Sequence, residues 1–323
     1  MSDREEKTGK NDNGKKNKGG KRNKIVAIEM IILVLLIMAA VAIFIQRDKR
    51  VKEAAKIHNQ KVKKTEQTPQ AAQKENEIEE ETEDTEEETD DRDASVPDRS
   101  NFAVQPGVSV GTTEQSDEKI VYLTLDDGPS DNTQAVLDIL DKYNAKATFF
   151  VTGEMPEYKD MIKAAYDKGH TIGMHTYSHD YAKVYASVDA YFQDLDQIGQ
   201  MVQEEIGYVP CFIRFPGGSS NTVSKKYTAG IMSTLVQEVQ NRGYQYYDWN
   251  GSSGDGSVRT TEELVAQATS FDSNNIILLC HDSHGKQTTV EALPQIIEHY
   301  QSLGYTFKAL DRDSFVAHHG VNN

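Results

Sequence analysis

Two histidines four residues apart, His175 and His179, and two adjacent aspartates, Asp126 and Asp127, are the residues of this chain best suited to chemistry. Two imidazoles and one carboxylate can hold a borderline metal ion and leave one coordination position for water. The other carboxylate can then act as the base that takes a proton from that water. These residue types at this spacing predict metal-assisted hydrolysis.

Two further motifs supply side chains for the same reaction. Arg214, in the sequence Arg-Phe-Pro-Gly-Gly, needs a partner if it is buried, and a catalytic aspartate would serve and would be oriented by the ion pair. His281, in the sequence Leu-Cys-His-Asp, can donate a proton to a leaving amine when it is protonated. A carboxylate could orient that imidazole, and Asp248 and Asp255 both remain candidates for this role.

The remaining candidate residues would contact a substrate. Leu279 and Trp249, the single tryptophan of the chain, can form an apolar pocket of the size of a methyl group. Backbone N–H groups near Tyr177, Gly217 or Gly218 can stabilise an oxyanion. Together with the acid and the base, such a pocket suits the hydrolysis of an acetylated amine.

These side chains need elements that bring them together, and apolar segments alternate with amphipathic ones along residues 117–320. The segments predicted as strands are 120–125, 147–152, 170–175, 211–215, 244–249, 275–281 and 305–310. The segments predicted as helices are 134–143, 158–168, 188–206, 224–242, 262–270 and 290–303. The alternation predicts an α/β fold with a parallel sheet, either a barrel or an open doubly wound sheet.

Signals at the helix ends support these boundaries. A glycine follows four of the helical segments, as a left-handed C-terminal cap should, at Gly169, Gly207, Gly243 and Gly304. Thr260 and Glu263 have the spacing of a capping box.

The candidate residues fall where the predicted strands end. Asp126 and Asp127 end the first strand, His175 the third and Arg214 the fourth, and His281 ends the sixth. Asp248 and Trp249 end the fifth in the same way. Because function gathers at the carboxyl ends of parallel strands, one rim of the sheet is predicted to carry the site.

The first third of the chain has a different composition. Residues 1–24 are basic, and residues 25–45 are apolar apart from Glu29. These 21 residues span about 31 Å as a helix, which matches the hydrocarbon core of a bilayer. The basic excess predicts a cytoplasmic N-terminus, a single-pass signal anchor in the cell membrane and an extracytoplasmic C-terminal part. A cleaved signal peptide is the alternative, since Ala40-Val41-Ala42 resembles a cleavage site.

Residues 46–116 are polar, and residues 75–93 carry thirteen acidic side chains against one arginine. We expect a disordered, extracytoplasmic spacer here, because few large apolar residues are present to form a core. The formal net charge of −16 argues against nucleic-acid binding, which needs a basic surface. The two cysteines, Cys211 and Cys280, lie in apolar segments and are expected to be buried thiols, with a disulfide as the alternative.

In this order, the motifs resemble those of the polysaccharide deacetylases of carbohydrate esterase family four, over about residues 117–318. The matching motifs are Thr124-Leu125-Asp126-Asp127-Gly128-Pro129, His175 to His179, Arg214-Phe215-Pro216-Gly217-Gly218, Asp248-Trp249 and Leu279-Cys280-His281. The resemblance implies a distorted (β/α)7 barrel for this region, followed by a short tail at 319–323.

The resemblance also implies a role for each site residue. Asp127, His175 and His179 would hold the metal, usually zinc, with cobalt or a similar ion as the alternative. Asp126 would be the general base, fixed by Arg214, and His281 the general acid. The other matched residues would contact the substrate: Leu279 and Trp249 as the groove for the acetyl methyl group, with Tyr177, Pro216, Gly217 and Gly218 beside it.

The sequence thus predicts a membrane-anchored, monomeric N-deacetylase of a cell-envelope glycan. An enzyme on an outward-facing spacer meets peptidoglycan first, which favours N-acetylglucosamine as substrate, with N-acetylmuramic acid second. The alternatives are a chitooligosaccharide or acetyl-xylan deacetylase and, from another class, a catalytically silent module that binds wall glycan.

Overall fold

The computed structural model describes residues 99–323, and in this part of the chain eight strands run parallel in one curled sheet. The strands are β1 (Ile120–Asp126), β2 (Ala147–Thr152), β3 (Thr171–Thr176), β4 (Phe212–Ile213), β5 (Gln245–Tyr246), β6 (Gly251–Ser252), β7 (Asn275–His281) and β8 (Thr306–Phe307). The helices are α1 (Thr133–Lys142), α2 (Asp160–Asp167), α3 (Tyr181–Val184), α4 (Val188–Ile206), α5 (Ile231–Asn241), α6 (Thr261–Ala268) and α7 (Gln287–Ser302).

The order of the strands is that of a barrel. Neighbouring strands follow the order β5-β4-β3-β2-β1-β7-β6, and β8 pairs with the first two residues of β1. Strands β1 to β5 are therefore added one after another in the same direction across the sheet. In a doubly wound sheet, the direction in which strands are added reverses at a switch point. β7 pairs with β1 along its whole length, whereas β8 adds only two residues to the sheet. This is the distorted barrel that the motifs imply.

The core occupies both faces of the curled sheet. Alternate residues of β1 such as Leu123 pack with the helices outside, whereas Tyr122 packs with Phe150 and Tyr247 in the interior. Every residue of β1 is buried, as expected for a parallel sheet covered on both sides. Both cysteines are buried free thiols, so the prediction of a structural role for them is confirmed and no disulfide joins them.

The predicted capping signals are confirmed. The four glycines that follow helical segments, Gly169, Gly207, Gly243 and Gly304, have φ angles of 83°, 87°, 88° and 84°. Thr260 and Glu263 form both hydrogen bonds of a capping box at the start of α6.

Several predicted boundaries differ from the structure for local reasons. The helix predicted over 224–242 is split into a 3-10 turn at Ser224–Lys226 and α5, because Gly230 adopts a φ of 76° ahead of Ile231. The segment 244–249 pairs only at Gln245–Tyr246, and the chain then forms β6, which periodicity did not predict. Because β4, β5 and β6 have only two residues each, most of the chain around them at this edge of the sheet is loop.

The folded part begins before residue 117. Phe102 is buried inside one end of the barrel, and its carbonyl accepts a hydrogen bond of 2.9 Å from the Cys211 N–H. Residues 99–116 thus pack on the barrel, although their composition resembles that of the spacer. Between residues 99 and 323, no helix is both long and apolar enough to cross a bilayer. The predicted basic tail, membrane span and most of the predicted spacer lie outside the described residues.

Candidate active site

The two adjacent aspartates at the end of β1 face different partners. Asp126 is the last residue of the strand, and its Oδ1 lies 2.7 Å from an Arg214 nitrogen. Asp127 then takes a left-handed φ of 68°, which turns its carboxylate toward the loop after β3. The turn therefore gives the two acids different neighbours, and their separate roles stay a prediction.

Asp127, His175 and His179 form the only cluster of potential metal ligands found among residues 99–323. The Asp127 Oδ1 lies 3.4 Å from the His175 Nε2 and 3.3 Å from the His179 Nε2. Ligand atoms about 2.0–2.1 Å from a tetrahedral zinc ion lie about 3.4 Å from one another. Both carboxylate-to-imidazole distances therefore match a zinc site, and all three ligand atoms lie within 4.8 Å of one another.

Hydrogen bonding and burial also favour metal binding by Asp127 and His175. The buried Asp127 Oδ1 has no hydrogen-bond partner among the described residues. The His175 Nδ1 lies 2.7 Å from the Arg214 carbonyl, to which it donates, so that the Nε2 lone pair faces Asp127. Burial lowers the pKa of His175, which favours the neutral imidazole that a metal requires. The donor set thus fits a divalent cation.

Asp194, which the sequence analysis did not select, organises the loop that carries the histidines. This buried residue of α4 accepts hydrogen bonds from the Tyr177 N–H at 2.6 Å, the Ser178 N–H at 3.2 Å and the Ser178 hydroxyl at 2.5 Å. Its signal in the sequence is weak, because a carboxylate on a helix face usually points to solvent. Here it fixes the backbone between the two metal-ligand candidates.

Replacing Asp194 with Ala should weaken zinc binding about 10–100-fold, the usual cost of losing a residue that orients metal ligands. The variant leaves two backbone N–H groups of the histidine loop without their acceptor. The zinc Kd is measured by competition with a chromogenic chelator. Asp196→Ala, an exposed carboxylate on the same helix, is the matched control and should bind zinc as the wild type does. Equal affinities in the two variants would contradict this role.

Arg214 is fully buried and holds Asp126 in place. Its guanidinium donates to the Asp126 carboxylate and the Thr124 hydroxyl, both at 2.7 Å, and to the Tyr247 carbonyl at 2.8 Å. The group also lies 4.3 Å above the Phe150 ring. A buried cation needs such compensation, and the predicted ion pair with an aspartate is present. The second oxygen of Asp126 accepts no hydrogen bond from any residue between 99 and 323 and is free to take a proton.

His281 lies beside Asp126 because β1 and β7 pair in register at these two residues. Its Nε2 lies 3.9 Å from the Asp127 Oδ2, and its Nδ1 lies 2.8 Å from the Asp255 Oδ1. Burial by itself lowers the pKa of His281, but the hydrogen bond and charge of Asp255, with the charges of Asp126 and Asp127, raise it to about 9. His281 is therefore protonated at neutral pH and can donate a proton.

The two carboxylates that the sequence left as alternatives have separate positions. The Asp255 Oδ1 bonds the His281 imidazole ring. The Asp255 Oδ2 accepts hydrogen bonds from the His281 backbone N–H and the Thr289 hydroxyl. Asp248 instead accepts from the Ser219 N–H at 2.8 Å and the His319 N–H at 2.8 Å. Asp248 thus fixes the loop after β4 and the C-terminal segment. The carboxylate that bonds the His281 imidazole is that of Asp255.

The three backbone groups proposed for an oxyanion are not equally available. The Tyr177 N–H donates to Asp194, and the Gly218 N–H donates to the Phe215 carbonyl at 2.8 Å. The Gly217 N–H donates to no residue in the described part of the chain, and Gly217 is exposed. Gly217 is therefore the one free donor of the three.

The remaining predicted contact residues lie at the same end of the barrel. Leu279 precedes His281 by two residues on β7, so both side chains share one face of the strand. Trp249 is half-buried and packs close to Gly218, where an added Cβ would lie 3.0 Å from the indole ring. Pro216 is buried, and its carbonyl accepts a hydrogen bond of 2.8 Å from the Tyr185 hydroxyl. Leu279 thus offers apolar surface on the same strand face as His281, and Trp249 offers it next to Gly218.

One end of the barrel thus carries a carboxylate bonded to an arginine, an imidazole bonded to a second carboxylate and a cluster of potential metal ligands, which is an arrangement suited to hydrolysis. Residues 113–236 match the family model described as polysaccharide deacetylase. The putative polysaccharide deacetylase YheN of Bacillus subtilis is 30% identical over 217 residues, 64% of this chain and 72% of that protein. A peptidoglycan-N-acetylglucosamine deacetylase of Bacillus cereus is 29% identical over 226 residues, 65% of this chain and 78% of that protein.

A solved structure shows the same architecture. The catalytic domain of a peptidoglycan N-acetylglucosamine deacetylase from Eubacterium rectale is 47% identical, with a TM-score of 0.63. The match covers 65% of this chain and 97% of that domain. The chain belongs to the polysaccharide deacetylase family and is a hydrolase that acts on amide bonds. Deacetylases of this family are metal-dependent.

Proposed function

We propose that this protein removes N-acetyl groups from peptidoglycan N-acetylglucosamine with the help of a divalent metal, most simply zinc. The observation that carries the proposal is the buried Asp127 carboxylate oxygen, which has no hydrogen-bond partner among residues 99–323 and lies 3.3–3.4 Å from two imidazole nitrogens. The similarity to peptidoglycan deacetylases supports the substrate.

The residues of the mouth divide the reaction between them. A divalent ion held by Asp127, His175 and His179 would polarise the acetamide carbonyl and lower the pKa of a water molecule beside it. Asp126 takes a proton from the attacking water, and Arg214 orients the carboxylate through its hydrogen bond. The Gly217 N–H donates a hydrogen bond to the carbonyl oxygen as that oxygen gains negative charge.

Collapse of the tetrahedral species requires an acid near the leaving nitrogen. His281 donates its Nε2 proton to that nitrogen, while Asp255 holds the other ring nitrogen. The C–N bond breaks, acetate leaves, and the glycan keeps a free amino group. Leu279 and Trp249 pack against the acetyl methyl group.

We place the catalytic domain outside the cell, held to the membrane through residues 25–45. The apolar run of 21 residues and the basic segment before it support this location. The spacer between the anchor and residue 99 would let the domain reach about 35–45 Å beyond the bilayer.

The experiment that tests this function measures acetate release by the full chain from purified peptidoglycan and from N-acetylated chitin oligomers. We expect the higher kcat/KM on peptidoglycan, and loss of activity in a chelator with recovery on added zinc. Activity that survives complete removal of metal would refute the metal mechanism. A preference for chitin oligomers would instead support the alternative substrate.

A further inference from the structure

A tyrosine hydroxyl at the mouth of the barrel has no assigned role. Tyr181 is the first residue of α3 and follows the metal-ligand candidate His179 by two positions. Its half-buried ring packs edge-on against His179, with ring centroids 5.9 Å apart, and against Tyr185, with centroids 5.4 Å apart. The Asp180 side chain caps this short helix by accepting from the Ala182 N–H at 3.0 Å. The ring is thus held by packing on both sides.

The hydroxyl of Tyr181 lies against Gly217. A Cβ added to Gly217 would stand 2.7 Å from the Tyr181 oxygen, and the glycine has a left-handed φ of 74°. A side chain at position 217 would therefore occupy the space that this hydroxyl fills. Glycine at this position brings the Tyr181 oxygen and the exposed backbone of residue 217 together.

No residue between 99 and 323 forms a hydrogen bond with the Tyr181 hydroxyl. The neighbouring Tyr185 differs, since its hydroxyl is buried and donates to the Pro216 carbonyl at 2.8 Å. The Gly217 N–H is unengaged as well. Two donors, one from a side chain and one from the backbone, thus meet at the same place on the rim without acceptors in the described part of the chain.

The position of this pair relative to the acid identifies the acceptor. Gly217 follows β4 and His281 ends β7, and three strands lie between them in the sheet. The acetamide carbon carries a nitrogen, which must face His281, and an oxygen, which then points away from β7. The oxygen is therefore the substrate atom closest to the side of the mouth formed by Gly217 and Tyr181.

We propose that the Tyr181 hydroxyl donates a hydrogen bond to the acetamide oxygen of the glycan and strengthens that bond as the oxygen becomes an oxyanion. The proton stays on Tyr181 throughout, so the tyrosine makes and breaks no covalent bond. This inference rests on the proposed function, because it assumes an acetamide bound between Asp126 and His281.

The test replaces Tyr181 with Phe, which removes the hydroxyl and retains the ring that packs on His179. We expect kcat to fall about 10²-fold, the usual cost of losing one oxyanion donor. Zinc content and the melting temperature should stay at the wild-type values, because the hydroxyl bonds no protein group among residues 99–323. KM should rise by a smaller factor than the one by which kcat falls, since the hydrogen bond is stronger in the transition state than in the bound substrate. Tyr185→Phe is the matched control, and it should lower the melting temperature but leave kcat near the wild-type value.

The outcomes separate the two proposals. A wild-type chain that releases acetate from any acetylated glycan, together with an unchanged kcat in Tyr181→Phe, would overturn the role of Tyr181 alone. A raised KM with unchanged kcat would also overturn it, since the hydroxyl would then bind the ground state and the transition state equally. Loss of zinc from the variant would assign Tyr181 to the support of His179 instead. A wild-type chain with no activity on any acetylated glycan would overturn both proposals.

Discussion

Asp126→Asn should release acetate about 10²–10⁴-fold more slowly than the wild type, the range that a general base contributes. The amide can still accept the hydrogen bond from Arg214, so the backbone around residue 126 should keep its position. It cannot take a proton from water, so the attack on the acetamide loses its base. The measurement is kcat/KM for acetate release from peptidoglycan at saturating zinc.

Asp127→Asn is the matched variant, because the two aspartates are adjacent and equal in size. Asp127 lies within 3.3–3.4 Å of both histidine nitrogens, whereas Asp126 bonds the arginine. Asp127→Asn should therefore lose zinc affinity as well as activity, while Asp126→Asn should retain its zinc. Zinc loss from both variants, or from neither, would contradict the separate roles of base and ligand.

The same pair of variants addresses a non-catalytic wall-binding module. Such a module would retain glycan after either substitution, and its wild-type form would release no acetate. An enzyme would also retain glycan after Asp126→Asn, but acetate release would disappear. Glycan retention and acetate release are therefore measured on the same samples.

The convergence of the site residues could be predicted because it depends on local signals. The strands are apolar runs that end in polar residues, and parallel strands bring their carboxyl ends to one rim. The strand register is an example: Asp126 and His281 end the adjacent strands β1 and β7 and pair directly with each other. Local signals could not distinguish a barrel from an open sheet, because that difference depends on which edge of the sheet each later strand joins.

The partners of the site residues could not be predicted, because they come from distant parts of the chain. Asp194 bonds a loop 16–17 residues before it, and nothing in the helix pattern of α4 distinguishes it from an exposed carboxylate. The choice between Asp248 and Asp255 depends on the turn at β6, a strand of two residues that leaves no periodic signal. The occupied Tyr177 N–H follows from the same hidden contact with Asp194.

Asp255→Asn should move the alkaline limb of the kcat/KM profile to lower pH by about 1–3 units, the effect of an opposite charge at contact distance. In the wild type His281 is protonated up to its pKa of about 9, so activity that needs this acid is lost as the pH rises through that value. Burial alone lowers the pKa of His281. Without the Asp255 charge, the imidazolium therefore loses its proton at a lower pH. At pH 9, kcat/KM should fall about fivefold for the first unit of that shift and about tenfold for each further unit.

Asp248→Asn is the control that makes this result specific. Asp248 is equally buried, but it bonds the Ser219 and His319 backbone and makes no contact with His281 in the described structure. Its replacement should lower the melting temperature and leave the alkaline limb where the wild type has it. If Asp248→Asn moves the limb and Asp255→Asn does not, the imidazole is oriented by the carboxylate next to Trp249. The loop after β6 would then have to adopt another conformation in the working enzyme.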